Sequence, residues 1–211
     1  MADLSNYRKS YDKGELHENN TPDNPLGLFS EWFLNAEQSG TVDEANAMTV
    51  TAVSTDGYPR ARVVLLKGYS NEGFIFYTNY NSEKGKAIQI NNKVCLSFFW
   101  PALQQQIIIK GNAIKISEDR SETYFNSRPA GSRYGAIISP QSQVIPSREY
   151  LEEKLIEVET IKNPVRPQHW GGYIVKPREI EFWQGRANRL HDRIRYTLQK
   201  SDTWLKERLA P

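Results

Sequence analysis

Polar and apolar residues alternate in several short runs along the chain, which is the pattern of half-buried β-strands. Turn-forming segments at 56–57 and 71–73 separate the first three runs, as they do in hairpins. The pattern therefore predicts an antiparallel sheet. The strand-like runs cover residues 47–54, 61–70, 74–79, 93–100, 104–117, 170–185 and 194–199.

Apolar residues spaced three and four apart predict helices before, between and after these strands. Asp23 can cap the first helix, with Pro25 in its first turn and an end near Gly40. The apolar face of this helix is expected to lie on the sheet. Further helices are predicted over residues 82–92, 121–128 and 147–162.

This order of elements predicts a mainly β protein with peripheral helices, a small closed or partly closed antiparallel barrel rather than a doubly wound parallel sheet. Residues 23–211 are expected to form a single domain, and residues 1–22 a mobile polar arm. No G-x-G-x-x-G follows a predicted strand and no G-x-x-x-x-G-K-[ST] occurs. Any phosphate would therefore have to be bound by side chains.

Charge and hydropathy narrow the range of partners. The 211 residues have a formal net charge of +2, with basic and acidic residues mixed along the whole length. Because there is no basic block, a nucleic-acid partner is not expected. No stretch approaches the roughly eighteen apolar residues of a membrane span, and the first residues are polar. These features predict no membrane partner and a cytoplasmic location.

The chain has few residues that could do chemistry alone. Its single cysteine, Cys95, lies in the apolar run VCLSFFW and is expected to be a buried apolar residue rather than a reactive thiol. The three histidines have no partners at metal-ligand spacing, so no metal site is expected. No nucleophile with a recognisable base is present. This favours a cofactor that supplies the chemistry.

Residues 182–193 combine aromatic, amide and cationic side chains in a short segment. Arg189, His191 and Arg193 occupy alternate positions, so extended backbone would place all three on one face beside Trp183. Cations on one face repel each other unless an anion lies among them. The segment therefore indicates a site for a flat anionic ligand, and a solvated edge strand with scattered charges is the alternative.

Cations elsewhere indicate separate anion sites. Arg62 and Lys67 flank an apolar run that is typical of a central strand, and strict alternation puts them on opposite faces. Lys84 lies at the start of a predicted helix, where an anion is favoured and Glu83 would oppose it. Surface cations that cover apolar residues with their alkyl chains are the alternative for the first pair.

A further group surrounds the motif YFNSRPAGS. Tyr124 and Arg128, four residues apart, share a helix face, and Ser132 lies where a following helix would begin. Hydroxyl, guanidinium and helix N-terminus could thus converge on one phosphate. A simple helix cap after the proline explains Ser132 equally well.

From the N-terminal arm to the closing RLAP, the chain resembles the pyridoxamine 5′-phosphate oxidase family. The resemblance implies an FMN-binding split β-barrel, antiparallel and Greek-key-like, and a homodimer with FMN at the subunit interface. It implies oxidation of pyridoxamine or pyridoxine 5′-phosphate to pyridoxal 5′-phosphate, with O2 as acceptor and H2O2 as product. The motifs that carry it are RVVLLK, FYTN, QQQ, YFNSRPAGS, SPQS, WGG and EFWQG followed by RLHDR.

The resemblance also implies roles for individual residues, with Arg189 and His191 expected to be catalytic and Arg8 and Tyr11 to close over the substrate. One departure is Glu83, where the family often has arginine, which implies weaker binding of the FMN phosphate. The residues implied for FMN are Arg62, Val63, Val64, Leu65, Leu66, Lys67, Tyr77, Thr78, Lys84, Gln106, Gln141, Ser142, Trp183 and Arg193. Those implied for the substrate are Arg8, Tyr11, Lys67, Tyr124, Arg128, Ser132, Arg189, Leu190 and His191.

Two other functions remain possible from the sequence. A flavin oxidase of the phenazine-biosynthesis type shares the barrel and an R-L-H-x-R ending, but its substrate has no phosphate to occupy the group around Arg128. A non-catalytic carrier of FMN or pyridoxal phosphate could use the same side chains. Release of peroxide over many turnovers would separate an enzyme from a carrier.

Overall fold

The computed structural model describes residues 2–211 and has nine strands and five α-helices over that range. The strands are β1 Ala47–Val53, β2 Pro59–Leu65, β3 Gly68–Ser70, β4 Gly73–Asn79, β5 Lys93–Trp100, β6 Gln105–Lys115, β7 Trp170–Gln184, β8 Asp192–Leu198 and β9 Trp204–Arg208. The helices are α1 Pro25–Gln38, α2 Glu83–Ile90, α3 Glu118–Ser127, α4 Ala130–Ile138 and α5 Glu149–Glu159, with 3₁₀ turns at Glu18–Asn20 and Ala187–Arg189.

Hydrogen bonds link the strands in the order β2-β1-β5-β6-β7-β4-β3, with β8 joined to β7 and β9 joined to β8. The prediction of a mainly β protein with peripheral helices is confirmed. Strand β9 was not predicted, α4 was anticipated only as a helix that would start near Ser132, and the run 61–70 is divided into β2 and β3. No helix within residues 2–211 is long and apolar enough to cross a membrane.

The start of α1 differs by one residue from the prediction. Asn24, not Asp23, caps the helix, because its side-chain oxygen accepts a hydrogen bond from the backbone N–H of Leu26 at 3.0 Å. Pro25 occupies the first turn as predicted, where its missing N–H is not needed. The helix ends at Gln38, two residues before Gly40.

The chain divides into two compact units that are interleaved in sequence. The first consists of residues up to Met48 together with Cys95–Lys110 and Pro177–Pro211, and the second consists of Thr49–Val94 and Gly111–Lys176. Strands β5, β6 and β7 each contribute residues to both units.

Helix α1 and the sheet form the core of the first unit. The Trp32 ring meets Phe182 of β7 edge to face at 5.3 Å, and Phe29 meets Phe98 of β5 at 5.4 Å. Tyr196 of β8 is fully buried, and its hydroxyl donates to the carbonyl of Pro22 at 2.8 Å. The apolar face of α1 thus lies on the sheet, as predicted.

The second unit is organised around β4 and the first half of β7. These strands pair antiparallel, with Tyr77 opposite Gly172 and Thr78 opposite Gly171. A Cβ atom at Gly171 would lie 2.3 Å from the hydroxyl of Tyr80, and one at Gly172 would lie 2.5 Å from a methyl of Ile116. The WGG motif is therefore required by the close approach of neighbouring side chains to this strand.

Strand β2 is not the central strand that its apolar sequence predicted. It lies at one end of the strand order, and Val63 is 71% exposed. An apolar run is typical of a strand that is covered on both faces, whether by its own chain or by another molecule. The run therefore did not distinguish a central strand from an edge strand with an apolar surface.

Candidate active site

In the second unit, cationic and aromatic side chains meet in a cavity of about 290 Å³, which we call the lysine pocket. Strands β2 and β4 supply one part of its lining, and helices α2 and α3 supply another. The lining residues are Val63, Val64, Leu65, Lys67, Tyr77, Thr78, Asn79, Lys84, Tyr124, Arg128, Gln141 and Trp170.

Lys84 is the most deeply placed cation of the lysine pocket, with 8% of its surface exposed. Its ammonium donates to the hydroxyl of Thr78 at 2.7 Å and to the amide oxygen of Gln141 at 2.9 Å. Burial, with a smaller contribution from the Arg62 charge, lowers the pKa of Lys84 from 10.5 to about 8. The site thus holds a cation with neutral partners, and a bound anion would stabilise its charge.

Helix α2 places this lysine. Ser82 caps the helix by accepting from the N–H of Gly85 at 3.2 Å, so Lys84 falls in the first turn. A Cβ at Gly85 would lie 2.3 Å from the carbonyl oxygen of Tyr80, so the turn before the helix leaves no room for a side chain there. The Ser82-Glu83-Lys84-Gly85 sequence therefore brings the ammonium into the pocket.

Arg62 does not line the lysine pocket. Its guanidinium lies 3.5 Å from the carboxylate of Glu83, and both side chains are about half exposed. Glu83, which was predicted to oppose an anion at the start of this helix, therefore pairs with Arg62. The prediction that Arg62 and Lys67 lie on opposite faces assumed one continuous strand. Strand β2 ends at Leu65, so the alternation of side chains does not extend to Lys67.

Three aromatic rings form a stack beside the cations. Tyr77 lies 3.9 Å from Tyr124 at an interplanar angle of 22°, and 5.5 Å from Trp170 at 13°. Burial raises the pKa of both tyrosines, so their hydroxyls remain hydrogen-bond donors at neutral pH. Trp170 belongs to the WGG motif, but its place in this stack could not be read from the motif.

Arg128 lies over the Trp170 ring, with its guanidinium carbon 4.6 Å from the ring centroid. Its Nη1 atom is buried and has no hydrogen-bond partner among residues 2–211. Burial lowers the pKa of this arginine, which means that its charge is poorly solvated. A part-buried guanidinium with a free N–H donor can bind a phosphate or a carboxylate.

A second cavity of about 280 Å³ also includes Arg128 and adds Ser132 from α4. Asn79, Gln141 and Trp170 line both cavities. Tyr124, Arg128 and Ser132 therefore lie around adjoining spaces in the second unit, as the sequence predicted. Leu66 and Ser142 do not line either cavity; Leu66 is 4% exposed, and Ser142 has a φ of 72°.

The first unit contains a larger cavity of about 1030 Å³, which we call the arm pocket because residues 7–11 form part of its wall. The remaining wall comes from β5, β6, the end of β7 and the loop that follows β7. The lining residues are Tyr7, Arg8, Lys9, Ser10, Tyr11, Phe99, Gln106, Trp183, Arg186, Asn188, Arg189 and His191.

The loop after β7 does not have the extended backbone that the alternation of Arg189, His191 and Arg193 assumed. Residues Ala187–Arg189 form a 3₁₀ turn, and Asn188 and Arg189 have φ values of 57° and 62°. Strand β8 begins only at Asp192. The prediction that the three cations share one face is therefore wrong, and only Arg189 and His191 line the arm pocket.

Arg193 is held on the sheet instead. It lies opposite Trp183 in the pairing of β7 with β8. Its guanidinium donates to the carboxylate of Glu181 at 2.7 Å and to the carbonyl of Ala210 at 2.9 Å. The hydrogen bond to Glu181 raises the pKa of Arg193, so this cation already has an anionic partner within the chain.

Three rings form the aromatic wall of the arm pocket. The centroid of His191 lies 4.7 Å from Trp183, and Tyr11 lies 5.8 Å from Trp183 and 5.7 Å from His191. His191 Nδ1 accepts a hydrogen bond from the backbone N–H of Arg186 at 3.1 Å. The neutral imidazole therefore carries its proton on Nε2.

Sequence reasoning missed several residues of these pockets. Arg186 donates to Asp192 at 2.9 Å and to Glu15 at 3.2 Å, and no motif identified it. Phe99 is 55% exposed within an apolar strand, where alternation gave no reason to expect an apolar surface residue. Gln106, which was predicted, lines the arm pocket and donates to Ser97 at 3.2 Å.

The site belongs to an antiparallel β framework in which one pocket holds a buried lysine and a part-buried arginine, without a glycine-rich loop. Solved structures share the framework. PhzG from Burkholderia lata, in complex with tetrahydrophenazine-1-carboxylic acid, has a TM-score of 0.86 at 27% identity and covers 96% of this chain and 100% of its own. An FMN-binding protein from Nostoc punctiforme, related to pyridoxamine 5′-phosphate oxidase, has a TM-score of 0.72 at 16% identity, covering 90% of this chain and 100% of its own. The predicted split-barrel fold is thereby confirmed.

A family model described as pyridoxamine 5′-phosphate oxidase matches residues 34–162. A second, described as the pyridoxine 5′-phosphate oxidase C-terminal dimerisation region, matches residues 170–211. A relative from Flavobacterium psychrophilum named pyridoxine/pyridoxamine 5′-phosphate oxidase is 60% identical over 100% of both chains. The chain therefore belongs to the pyridoxamine 5′-phosphate oxidase family.

Proposed function

We propose that the protein is an FMN-dependent oxidase that converts pyridoxamine or pyridoxine 5′-phosphate to pyridoxal 5′-phosphate, with O2 as acceptor and H2O2 as product. The observation that carries the proposal is the presence of two cations in one pocket, the buried Lys84 and the part-buried Arg128, whose Nη1 atom is buried without a partner. A buried cation is costly unless an anion pairs with it. Cofactor and substrate would each bring one phosphate, which matches the two cations.

The residues of the lysine pocket fit the phosphate end of FMN. Lys84 and Thr78 supply donors at one place, and the backbone of Val63–Leu65 lines the same cavity. Arg62 would reach the phosphate by leaving Glu83. Bound FMN would supply the acceptor for the hydride from the 4′ carbon of the substrate, with O2 as the final electron acceptor; with the amine substrate, water would then hydrolyse the substrate imine to the aldehyde and ammonia. Further residues proposed to contact FMN are Leu66, Lys67, Tyr77, Gln106, Gln141, Ser142, Trp183 and Arg193.

The substrate would be held at two ends. Arg128 binds its phosphate through the free Nη1 donor, assisted by Lys67, Tyr124 and Ser132. Arg189 and His191 would contact the pyridine ring from the arm pocket, together with Leu190, Arg8 and Tyr11. Because Nδ1 of His191 is already occupied by a backbone N–H, Nε2 is the atom that can donate to, or exchange a proton with, the substrate.

We also propose a cytoplasmic homodimer in which the lysine pocket of one protomer and the arm pocket of another form each site. The residues proposed for FMN belong to both units of the chain. The chain matches a dimerisation-region family model, and Val63 beside the lysine pocket and Phe99 beside the arm pocket are both exposed apolar residues. Exposed apolar residues at a pocket rim are expected where a partner covers them.

The function is tested by anaerobic mixing of the FMN-loaded protein with pyridoxamine 5′-phosphate. We expect the flavin absorbance to bleach and, after air is admitted, many equivalents of pyridoxal 5′-phosphate and peroxide to form. A carrier would bind the substrate without bleaching. In a phenazine-type oxidase, pyridoxamine without the phosphate would bleach the flavin to the same extent as pyridoxamine 5′-phosphate. Either outcome contradicts the proposal.

The pKa of Lys84 predicts a pH dependence of FMN binding. A phosphate stabilises the ammonium, so above pH 8 the free protein must take up a proton when FMN binds. The Kd should therefore be nearly constant below pH 8 and rise above it, approaching about tenfold per pH unit. Quenching of flavin fluorescence measures the Kd.

Lys84→Met is the matched variant for this prediction. It removes the titrating group while retaining a chain of similar length, so FMN should bind more weakly at pH 7 and the rise of Kd above pH 8 should flatten. Circular dichroism at each pH verifies that the protein remains folded. An unchanged Kd between pH 7 and pH 9.5 in the native sequence would mean that Lys84 does not contact the phosphate.

A further inference from the structure

We infer that Gln104 is a positioning residue for the oxidation reaction, because it holds the N-terminal arm so that Tyr11 forms part of the arm pocket. The inference rests on the proposed function for its kinetic consequence but not for its structural one. Gln104 lies between β5 and β6 and is 2% exposed. Its role is carried by hydrogen bonds and by one close contact in the first unit.

The side chain of Gln104 binds the arm backbone directly. Its Oε1 atom accepts from the N–H of Asp12 at 2.8 Å and from the N–H of Lys13 at 3.1 Å. One amide oxygen has two lone pairs, so it can satisfy two successive backbone donors. The arm is thereby fixed at the two residues that follow Tyr11.

Gln104 is itself held in place by the end of β7, which leads into the loop that contains Arg189 and His191. Its carbonyl accepts from the N–H of Gly185 at 2.8 Å and from the side chain of Gln184 at 3.3 Å. Gln184 is 2% exposed and accepts from Gln105 at 3.0 Å. Three glutamines therefore connect the arm to the segment that leads to Arg189 and His191.

Gly185 leaves the space that Tyr11 occupies. A Cβ atom at position 185 would lie 2.7 Å from Tyr11 Cδ2 and 3.1 Å from Gln104 Cβ. The tyrosine ring therefore rests on bare backbone, and in this position it contacts the rings of Trp183 and His191. The hydrogen bonds of Gln104 and the absence of a side chain at Gly185 both determine the position of Tyr11.

The rest of the arm is anchored by other groups. The N–H of Leu16 donates to the carboxylate of Asp192 at 3.0 Å, and Glu18 forms an ion pair with Arg208. Several hydrogen bonds keep the pKa of Asp192 low although burial alone would raise it, so this anchor remains charged. Loss of Gln104 should therefore loosen residues 8–13 without detaching the residues that follow.

The first test measures the arm without substrate. Arg8, Lys9 and Lys13 are trypsin sites in or beside the segment that Gln104 holds. Gln104→Met removes the acceptor and retains most of the side-chain volume, and trypsin should cleave the arm about tenfold faster, as expected when roughly one to two hydrogen bonds are lost. Gln104→Glu keeps an accepting oxygen and should restore slow cleavage.

The second test uses the FMN-loaded enzyme. In Gln104→Met, KM for pyridoxamine 5′-phosphate should rise about tenfold with kcat nearly unchanged and the Kd for FMN unchanged. Tyr11→Ala should raise KM similarly, and the double variant should be no worse than Tyr11→Ala, because both changes remove the same contact. If Gln104→Met does not fold, Gly185→Ala should displace Tyr11 and give the same pattern.

These outcomes separate the inference from the function proposed above. Wild-type cleavage of the arm in both Gln104→Met and Gly185→Ala would overturn the positioning role, whether or not the protein is an oxidase. Additive effects of Gln104→Met and Tyr11→Ala on KM would also overturn it. Faster cleavage in a protein that never oxidises the substrate would leave the placement of the arm supported and the function refuted.

Discussion

Arg189→Ala should lower kcat/KM for pyridoxamine 5′-phosphate about a hundredfold, which corresponds to about 2.7 kcal/mol of transition-state stabilisation, while FMN remains bound. The reason is that Arg189 lines the arm pocket, whereas Lys84 and Thr78 lie in the lysine pocket. Arg189→Lys should recover little, because a point charge does not replace a planar group over a ring. Stopped-flow reduction of the flavin without O2 isolates the hydride step.

Arg178→Ala is the control for this prediction. Arg178 is an exposed arginine of β7 in the same unit and does not line the arm pocket. Its removal should leave flavin reduction and substrate affinity unchanged. If Arg189→Ala and Arg189→Lys also reduce their flavin at the native rate with unchanged affinity, then Arg189 is a solvated surface cation, the alternative that the sequence left open.

Arg128→Ala should raise KM for the phosphorylated substrate roughly tenfold to a hundredfold, because a charge-assisted hydrogen bond to phosphate contributes about 1.5–3 kcal/mol. The Kd for FMN should change little. The variant should also lose most of the native preference for pyridoxamine 5′-phosphate over pyridoxamine. Steady-state kinetics with both substrates measures this preference directly.

Arg120→Ala serves as the control, since Arg120 lies on α3, the helix that ends one residue before Arg128, is half exposed and is 4.0 Å from Glu72. Loss of FMN from Arg128→Ala with an unchanged KM would show that the two phosphates are assigned the wrong way round. A further experiment mixes the Arg128→Ala and Arg189→Ala proteins in equal amounts, lets their subunits exchange, and then measures activity. If two protomers share each site, about a quarter of the sites should be intact by random pairing.

The sequence predicted the strands well because alternation depends on burial of one strand face, and the structure retains that burial in β1, β5 and β6. Tyr124 and Arg128 line one pocket, as their spacing of four residues predicted, although Arg128 has extended backbone at the C-cap of α3 rather than a place on its face. Both results rest on local geometry. Patterns of this kind are set by neighbours in the chain.

What the sequence did not predict depends on a local turn with no clear sequence signal and on contacts with distant parts of the chain. The alternation of Arg189, His191 and Arg193 implied one face, but the 3₁₀ turn at Ala187–Arg189 ends the extended backbone before Arg189. No local signal separated Gln104, which holds the arm, from an ordinary surface glutamine. Its partners Asp12 and Lys13 are more than ninety residues away in sequence.

The left-handed backbone at Asn188 and Arg189 has a consequence for the stability of the protein. Asparagine adopts this conformation at little cost, but arginine does so against the contact between its Cβ and the backbone, which costs about 1 kcal/mol. Glycine is the residue that would relieve this strain, and glycine has no guanidinium. Heat resistance could therefore be gained at position 189 only by losing the side chain proposed to contact the substrate, and position 188, already asparagine, offers little gain.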